Sequence, residues 1–184
     1  MVQCGMSPRL SLVALLLVLV TGCGAQVEGD PTADTGAMPA DFAGEVTYAN
    51  GSVPPPYHYE WRVEFDTSSA RLSWSPGYEG DEREEWTEEV PLGEDDRAAY
   101  YDRLRETGLF EFDNRDDDLV GGPTGRARFG NPPGDLHDSG TLGTTEEGKD
   151  MLEAVTAATE ELFPAEVWTG MKDKQQAWED SHPR

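Results

Sequence analysis

Between Tyr57 and Asp66 the chain alternates. Tyr57, Tyr59, Trp61, Val63 and Phe65 are interleaved with His58, Glu60, Arg62, Glu64 and Asp66. A period of two puts every large apolar side chain on one face and every polar one on the other, the pattern of a strand half covered by a core. Thr67-Ser68-Ser69 turns the chain, and Leu72 and Trp74 resume the pattern in a second strand, which predicts a hairpin. Upstream, Phe42 to Ala49 has β character and ends at the turn signal Asn50-Gly51. Downstream, a third strand is expected around Trp86 to Leu92. Arg126 to Phe129 and about Leu136 to Leu142 are shorter strand candidates flanking Asn131-Pro132-Pro133-Gly134.

Two stretches change to the helical period. Glu94 to Thr107 opens with Glu94, Asp95 and Asp96, which the positive end of a helix dipole favours. Ala98, Tyr101 and Leu104 share a face, and Gly108 is placed to close the helix. A second helix is expected after Thr144-Thr145-Glu146-Glu147, where Thr144 and Glu147 match a capping box. Its apolar face takes Met151, Leu152, Val155, Thr159, Leu162 and Phe163. Residues Ala165 to Trp178 suit a further short helix. The fold class is therefore α+β, an antiparallel sheet with two main helices packed on one face. It occupies a single domain over 41–170, with 171–184 as an extension that is either a short helix or frayed.

The N-terminus follows another logic. Arg9 precedes Leu10–Val20, apolar except for Ser11, and Thr21-Gly22-Cys23 closes the run with small residues and a thiol. The apolar run is shorter than the ~20 residues a spanning helix needs. It has the size of a signal-peptide core, and Met1 or Met6 serves equally as its start. Val20-Thr21-Gly22-Cys23 resembles the bacterial lipobox. The resemblance implies cleavage of 1–22 before Cys23 and a diacylglyceryl group on its thiol, hence a domain anchored to a cell membrane or outer membrane and facing away from the cytoplasm. Two or more acyl chains hold a protein stably on a bilayer, where one does not. The segment 23–40 is then a small, acidic tether reaching at most about 60 Å. Of the two cysteines, Cys4 falls in the removed segment, so neither a disulfide nor a thiolate metal site is expected in the domain.

Charge narrows the choice of partner. Asp plus Glu number 37 against 14 Lys plus Arg, a formal net charge of −23. Phosphate binding wants a basic patch, so nucleic acid is not expected as a partner. Anionic headgroups repel such a domain as well, which leaves membrane attachment to the lipid. A cationic partner, such as a basic protein face or Ca²⁺, suits the charge; a well-solvated surface explains it more simply and needs no partner. The 5 Trp, 6 Tyr and 6 Phe all lie beyond Cys23 and supply the apolar area of a core.

The runs Val53-Pro54-Pro55-Pro56-Tyr57-His58-Tyr59-Glu60, Pro76-Gly77-Tyr78, Trp86, Val120-Gly121-Gly122 and Phe163-Pro164-Ala165-Glu166-Val167-Trp168 occur in that order. Together they resemble a group of small, uncharacterised bacterial proteins and lipoproteins, over roughly Phe42 to Trp178. The resemblance implies a domain and no activity.

No catalytic signature stands out. The histidines His58, His137 and His182 match no zinc spacing. His58 and Glu60 are two residues apart on the polar side of one strand, where they suit a metal site or simply a solvated face. His137, Asp138 and Ser139 are neighbours in sequence, which says nothing of a triad, and no GxSxG elbow exists. Asp113, Asp116, Asp117 and Asp118 offer oxygen ligands for Ca²⁺, although Arg115 breaks the EF-hand pattern. Gly121-Gly122 and Gly125 lack the following Lys-Ser or Lys-Thr of a phosphate loop. Trp74, Tyr78 and Trp86 cluster around the Pro76-Gly77-Tyr78 turn. If exposed together they form an aromatic platform for a peptide or sugar ring; packed inward they are core. The reading that follows is a non-enzymatic binding module of the envelope, with an envelope protein or peptide as partner. The alternative is an enzyme using paired carboxylates on an envelope substrate, which needs two acids whose surroundings push their pKa values apart.

Overall fold

The alternation along the chain becomes an alternation of burial. In strand β2 (Tyr59–Phe65), Trp61, Val63 and Phe65 are buried while Arg62 and Glu64 are exposed. The neighbouring strands β1 (Gly44–Ala49) and β3 (Ser69–Pro76) keep the same phase. Val46 lies opposite Val63, Trp74 opposite Trp61 and Leu72 opposite Val63. Strands β4 (Trp86–Pro91), β5 (Thr124–Phe129) and β6 (His137–Asp138) complete the sheet, in the order β4-β3-β2-β1-β5-β6 with every pairing antiparallel. The computed structural model describes residues 36–78, 84–114 and 121–182, with Gly36 onward in one unit.

Three helices make the fold α+β: α1 (Glu94–Glu106), α2 (Glu146–Glu160) and α3 (Ala165–Ser181). Each touches the apolar side of the sheet. Tyr100 of α1 meets Phe65 edge-on, with ring centroids 5.3 Å apart. Leu152 of α2 presses on Gly125 of β5, where a Cβ would stand 2.6 Å from its Cδ1 and 2.5 Å from the Thr47 carbonyl oxygen. Trp168 of α3 meets Trp61 edge-on at 5.4 Å. The core closes between these layers, with Phe42, Leu72, Trp74, Leu104, Phe129, Val155 and Met171 among its most enclosed side chains.

Helix ends follow local chemistry. The Asp96 carboxylate accepts the Gly93 N–H at 3.1 Å and starts α1. Beyond its last residues, Gly108 takes φ +77°, a conformation that glycine adopts without a Cβ clash. Helix α2 begins one residue later than the Thr144–Glu147 capping box implies. Its cap is Thr145, whose hydroxyl oxygen accepts the Gly148 N–H at 2.8 Å. Helix α3 is longer than the short helix expected, because Trp168, Met171 and Gln175 recur at helical spacing and are all buried. The described helix thus continues past residue 170.

The strand pattern fails at one end. Tyr57, which the alternation sends inward, is 45% exposed, while His58, which it sends outward, is 3% exposed. Pro54-Pro55-Pro56 cannot donate to a ladder, and Pro55–Tyr57 instead form a 3-10 turn that resets the phase before β2. Leu136–Leu142 likewise yields only the two-residue β6 and an isolated bridge between Gly125 and Leu142.

Candidate functional site

With helices against one side, the other side of the sheet is left to polar residues. Register builds it in transverse rows. One row reads Thr87, Ser73, Arg62, Thr47, Arg126 across β4, β3, β2, β1 and β5. The next reads Glu89, Arg71, Glu64, Glu45, Arg128 and Asp138. Adjacent strands lie ~4.8 Å apart, so side chains of one row stand within reach of one another. A groove of about 510 Å³ runs over this face, lined by Thr47, Glu60, Arg62, Glu64, Arg71, Ser73, Ser75, Thr124 and Arg126, with Glu85 and Thr141 at its margins.

Most charges on the face neutralise one another. Arg71 donates to Glu89 at 3.1 Å. Arg126 grips Asp138 with two N–H groups, Nε donating to Oδ1 at 2.8 Å. Arg128 donates to Glu45 through Nε and Nη2. Glu60 receives the imidazole of His58, with Nε2 and Oε1 3.1 Å apart. Two charges on strand β2 stand apart from this pairing. Among the described residues neither Arg62 nor Glu64 has a hydrogen-bond or ion-pair partner.

The residues singled out by sequence fall in different places. Trp74 is not part of an exposed platform: it is 1% exposed, and its indole N–H donates to the Gln175 side-chain oxygen at 3.2 Å. Trp86 lies opposite Trp74 in the sheet and packs partly buried against the core. Only Tyr78 is exposed, and its ring lies on His58, not on a tryptophan. The platform dissolves because Trp74 and Trp86 share the inward phase of paired strands, while Tyr78 sits in the turn beyond them. Asp113 is exposed; Asp116, Asp117 and Asp118 lie outside the described residues, as does Cys23. Among the described residues no group of three or more His, Cys, Asp or Glu side chains is placed to hold a metal ion.

His137, Asp138 and Ser139 do not converge. Asp138 is committed to Arg126, which holds its carboxyl below the usual carboxylate range. Burial against Phe110 and Phe129 pushes the His137 imidazole down. Ser139 accepts the Ala127 N–H at 3.0 Å and donates to the Gly140 carbonyl at 2.8 Å. Asp66, the other acid among the described residues with a displaced proton equilibrium, is also held low, by hydrogen bonds from Ser68 and Ser69. Neither displacement is the upward one a general acid requires.

What sequence reasoning missed is the open face itself. Its signal was present in the polar half of the β2 alternation, but Arg62 and Glu64 look like any solvated strand residues until register shows which neighbours are already paired. Comparison with family models, curated proteins and solved structures gives no match, so the site is read from its own geometry.

Proposed function

We propose that the chain is a lipid-anchored binding module of the bacterial envelope and that the open sheet face is its contact surface. The N-terminal pattern ending at Cys23 supports the anchor, and the small, acidic sequence before Gly36 supplies the reach. The tether is shorter than 23–40, because Arg105 holds the Gly36 carbonyl at 3.0 Å and Met38 packs against the core. One observation carries the binding role. An exposed sheet face of six strands holds a polar groove of about 510 Å³, lined by hydroxyls and by charges of both signs. Hydroxyl and guanidinium groups orient a polar partner by hydrogen bonds, and a lipid tether fixes where that partner is met. The partner is an envelope protein or peptide, met outside the cytoplasm.

The test is crosslinking of the native protein in intact cells, with Cys23→Ser and Arg62→Glu as companions. A partner captured by the native form and reduced in both variants is the expected result. A protein that stays on the membrane and captures nothing, or captures the same partner in the Arg62→Glu form, sinks the proposal for this face.

A further inference from the structure

The unpaired charges of β2 define what the groove recognises, given that the open face is the contact surface. Arg62 and Glu64 are two residues apart on one strand, so their side chains leave the same face about 7 Å apart at the base. They stand roughly parallel and perpendicular to the sheet, which keeps them from closing on each other as an i,i+4 helix pair would. The neighbours that would quench them are engaged elsewhere. Arg71 faces Glu64 across β3 but is held by Glu89; across β1 Glu64 faces only a like charge, Glu45, which takes up Arg128. Arg62 is flanked across the sheet by Thr47 and Ser73, whose hydroxyls carry no charge, and along β2 by Glu60, which is engaged with His58.

The face therefore presents one positive and one negative group side by side, each open to a ligand of opposite sign. A lone anion gains at Arg62 and is opposed by Glu64 and by the whole charge of −23. A lone cation gains at Glu64 and is opposed by Arg62. A molecule with both charges at matching separation satisfies both. Extended chain advances ~3.3–3.6 Å per residue, so the ammonium and carboxylate of a dipeptide lie about 7 Å apart. We propose that Arg62 and Glu64 bind a zwitterionic peptide of dipeptide size, its carboxylate on Arg62 and its ammonium on Glu64. The guanidinium takes the carboxylate through two parallel N–H groups, with Ser73 as a hydroxyl donor beside it.

Calorimetric titration of the full-length protein in detergent tests this with three ligands: L-alanyl-L-alanine, its N-acetyl form and its C-terminal amide. The free dipeptide is expected to bind saturably, and each cap to weaken binding about tenfold or more. Arg62→Gln is expected to bind acid and amide alike, Arg62→Lys to recover part of the preference, and Glu64→Gln to bind amine and N-acetyl forms alike. Both side chains are exposed and unpaired, so circular dichroism and urea midpoints are expected to match the native form. Equal binding of all three ligands to the native protein overturns the inference, as does discrimination that survives both glutamine substitutions, or no saturable binding at all. If crosslinking in cells still captures a partner through this face while the dipeptide fails, the ligand class falls and the binding module stands. If the dipeptide binds and crosslinking captures no envelope protein or peptide, the face stands as a binding surface for a small zwitterion and the macromolecular envelope partner falls.

Discussion

The phenol ring of Tyr78 lies flat on the imidazole of His58, with centroids 3.8 Å apart and planes 5° from parallel. The contact joins the end of β3 to the loop before β2. Around it, His58 Nδ1 lies 3.0 Å from the Gly51 carbonyl oxygen, and the Tyr78 hydroxyl donates to the Val53 carbonyl at 2.6 Å. Asn50 adds a clasp on the same loop, donating to the Tyr57 carbonyl at 2.8 Å and accepting the Tyr59 N–H at 3.1 Å. A proline-rich segment with no ladder of its own is thus fixed by side chains.

Tyr78→Phe keeps the stack and loses one hydrogen bond, so it is expected to cost about 1 kcal/mol in urea unfolding. His58→Ala loses the stack and both ring-nitrogen contacts, and a cost of about 2–3 kcal/mol is expected. Amide exchange should rise at Gly51 and Val53 in the alanine variant more than in the core strands. Uniform loosening of the whole sheet would mean that the stack is not a local clasp.

The Trp74–Gln175 pair links β3 to α3 inside the core. Replacing Trp74 by Phe leaves a void and a buried amide oxygen without its donor, a combined loss of about 2–4 kcal/mol. Gln175→Leu removes the other partner and is expected to cost less, because leucine fills apolar space while only the indole N–H goes unsatisfied. A double-mutant cycle on urea midpoints measures the coupling. Ligand binding on the open face is expected to persist in both variants; its loss in Trp74→Phe with stability intact would return Trp74 to the site.

Acid should weaken the fold in two separate windows. The Arg126 guanidinium lowers the Asp138 carboxyl, so the folded protein binds that proton less tightly than the unfolded chain. The contribution is whole above the unfolded carboxylate value of about 3.9 and is lost as pH falls through the lowered folded value. Arg126→Gln is expected to flatten the fall of unfolding free energy below about pH 4, with Asp66 supplying the slope that remains. Burial lowers the His137 imidazole, which has the same sign: its contribution is whole above about pH 6.5 and is lost as pH drops below that. His137→Phe is expected to remove the pH dependence in the window just below 6.5. Urea unfolding across a pH series separates the two, and a native profile flat across both windows would contradict them.

The sequence by itself determined the α+β class and the inward face of β2 and β3. These depend on local chemistry and on short periods, and neighbours a few residues away suffice to specify them. The positions of α1 and α2 were legible for the same reason, from acidic first turns and apolar spacing. Only the tertiary structure decided the rest. The inward phase of Trp74 and Trp86 could be read locally, but their burial needed α3, whose Gln175 lies 101 positions from Trp74 in the chain. His58 turned inward because three prolines reset the strand phase and the Tyr78 turn folded back over it. Arg62 and Glu64 became a site because register gave Arg71, Arg126 and Arg128 to Glu89, Asp138 and Glu45. Which charges remain unpaired is a property of strands brought together from distant parts of the chain, and no local window of sequence contains it.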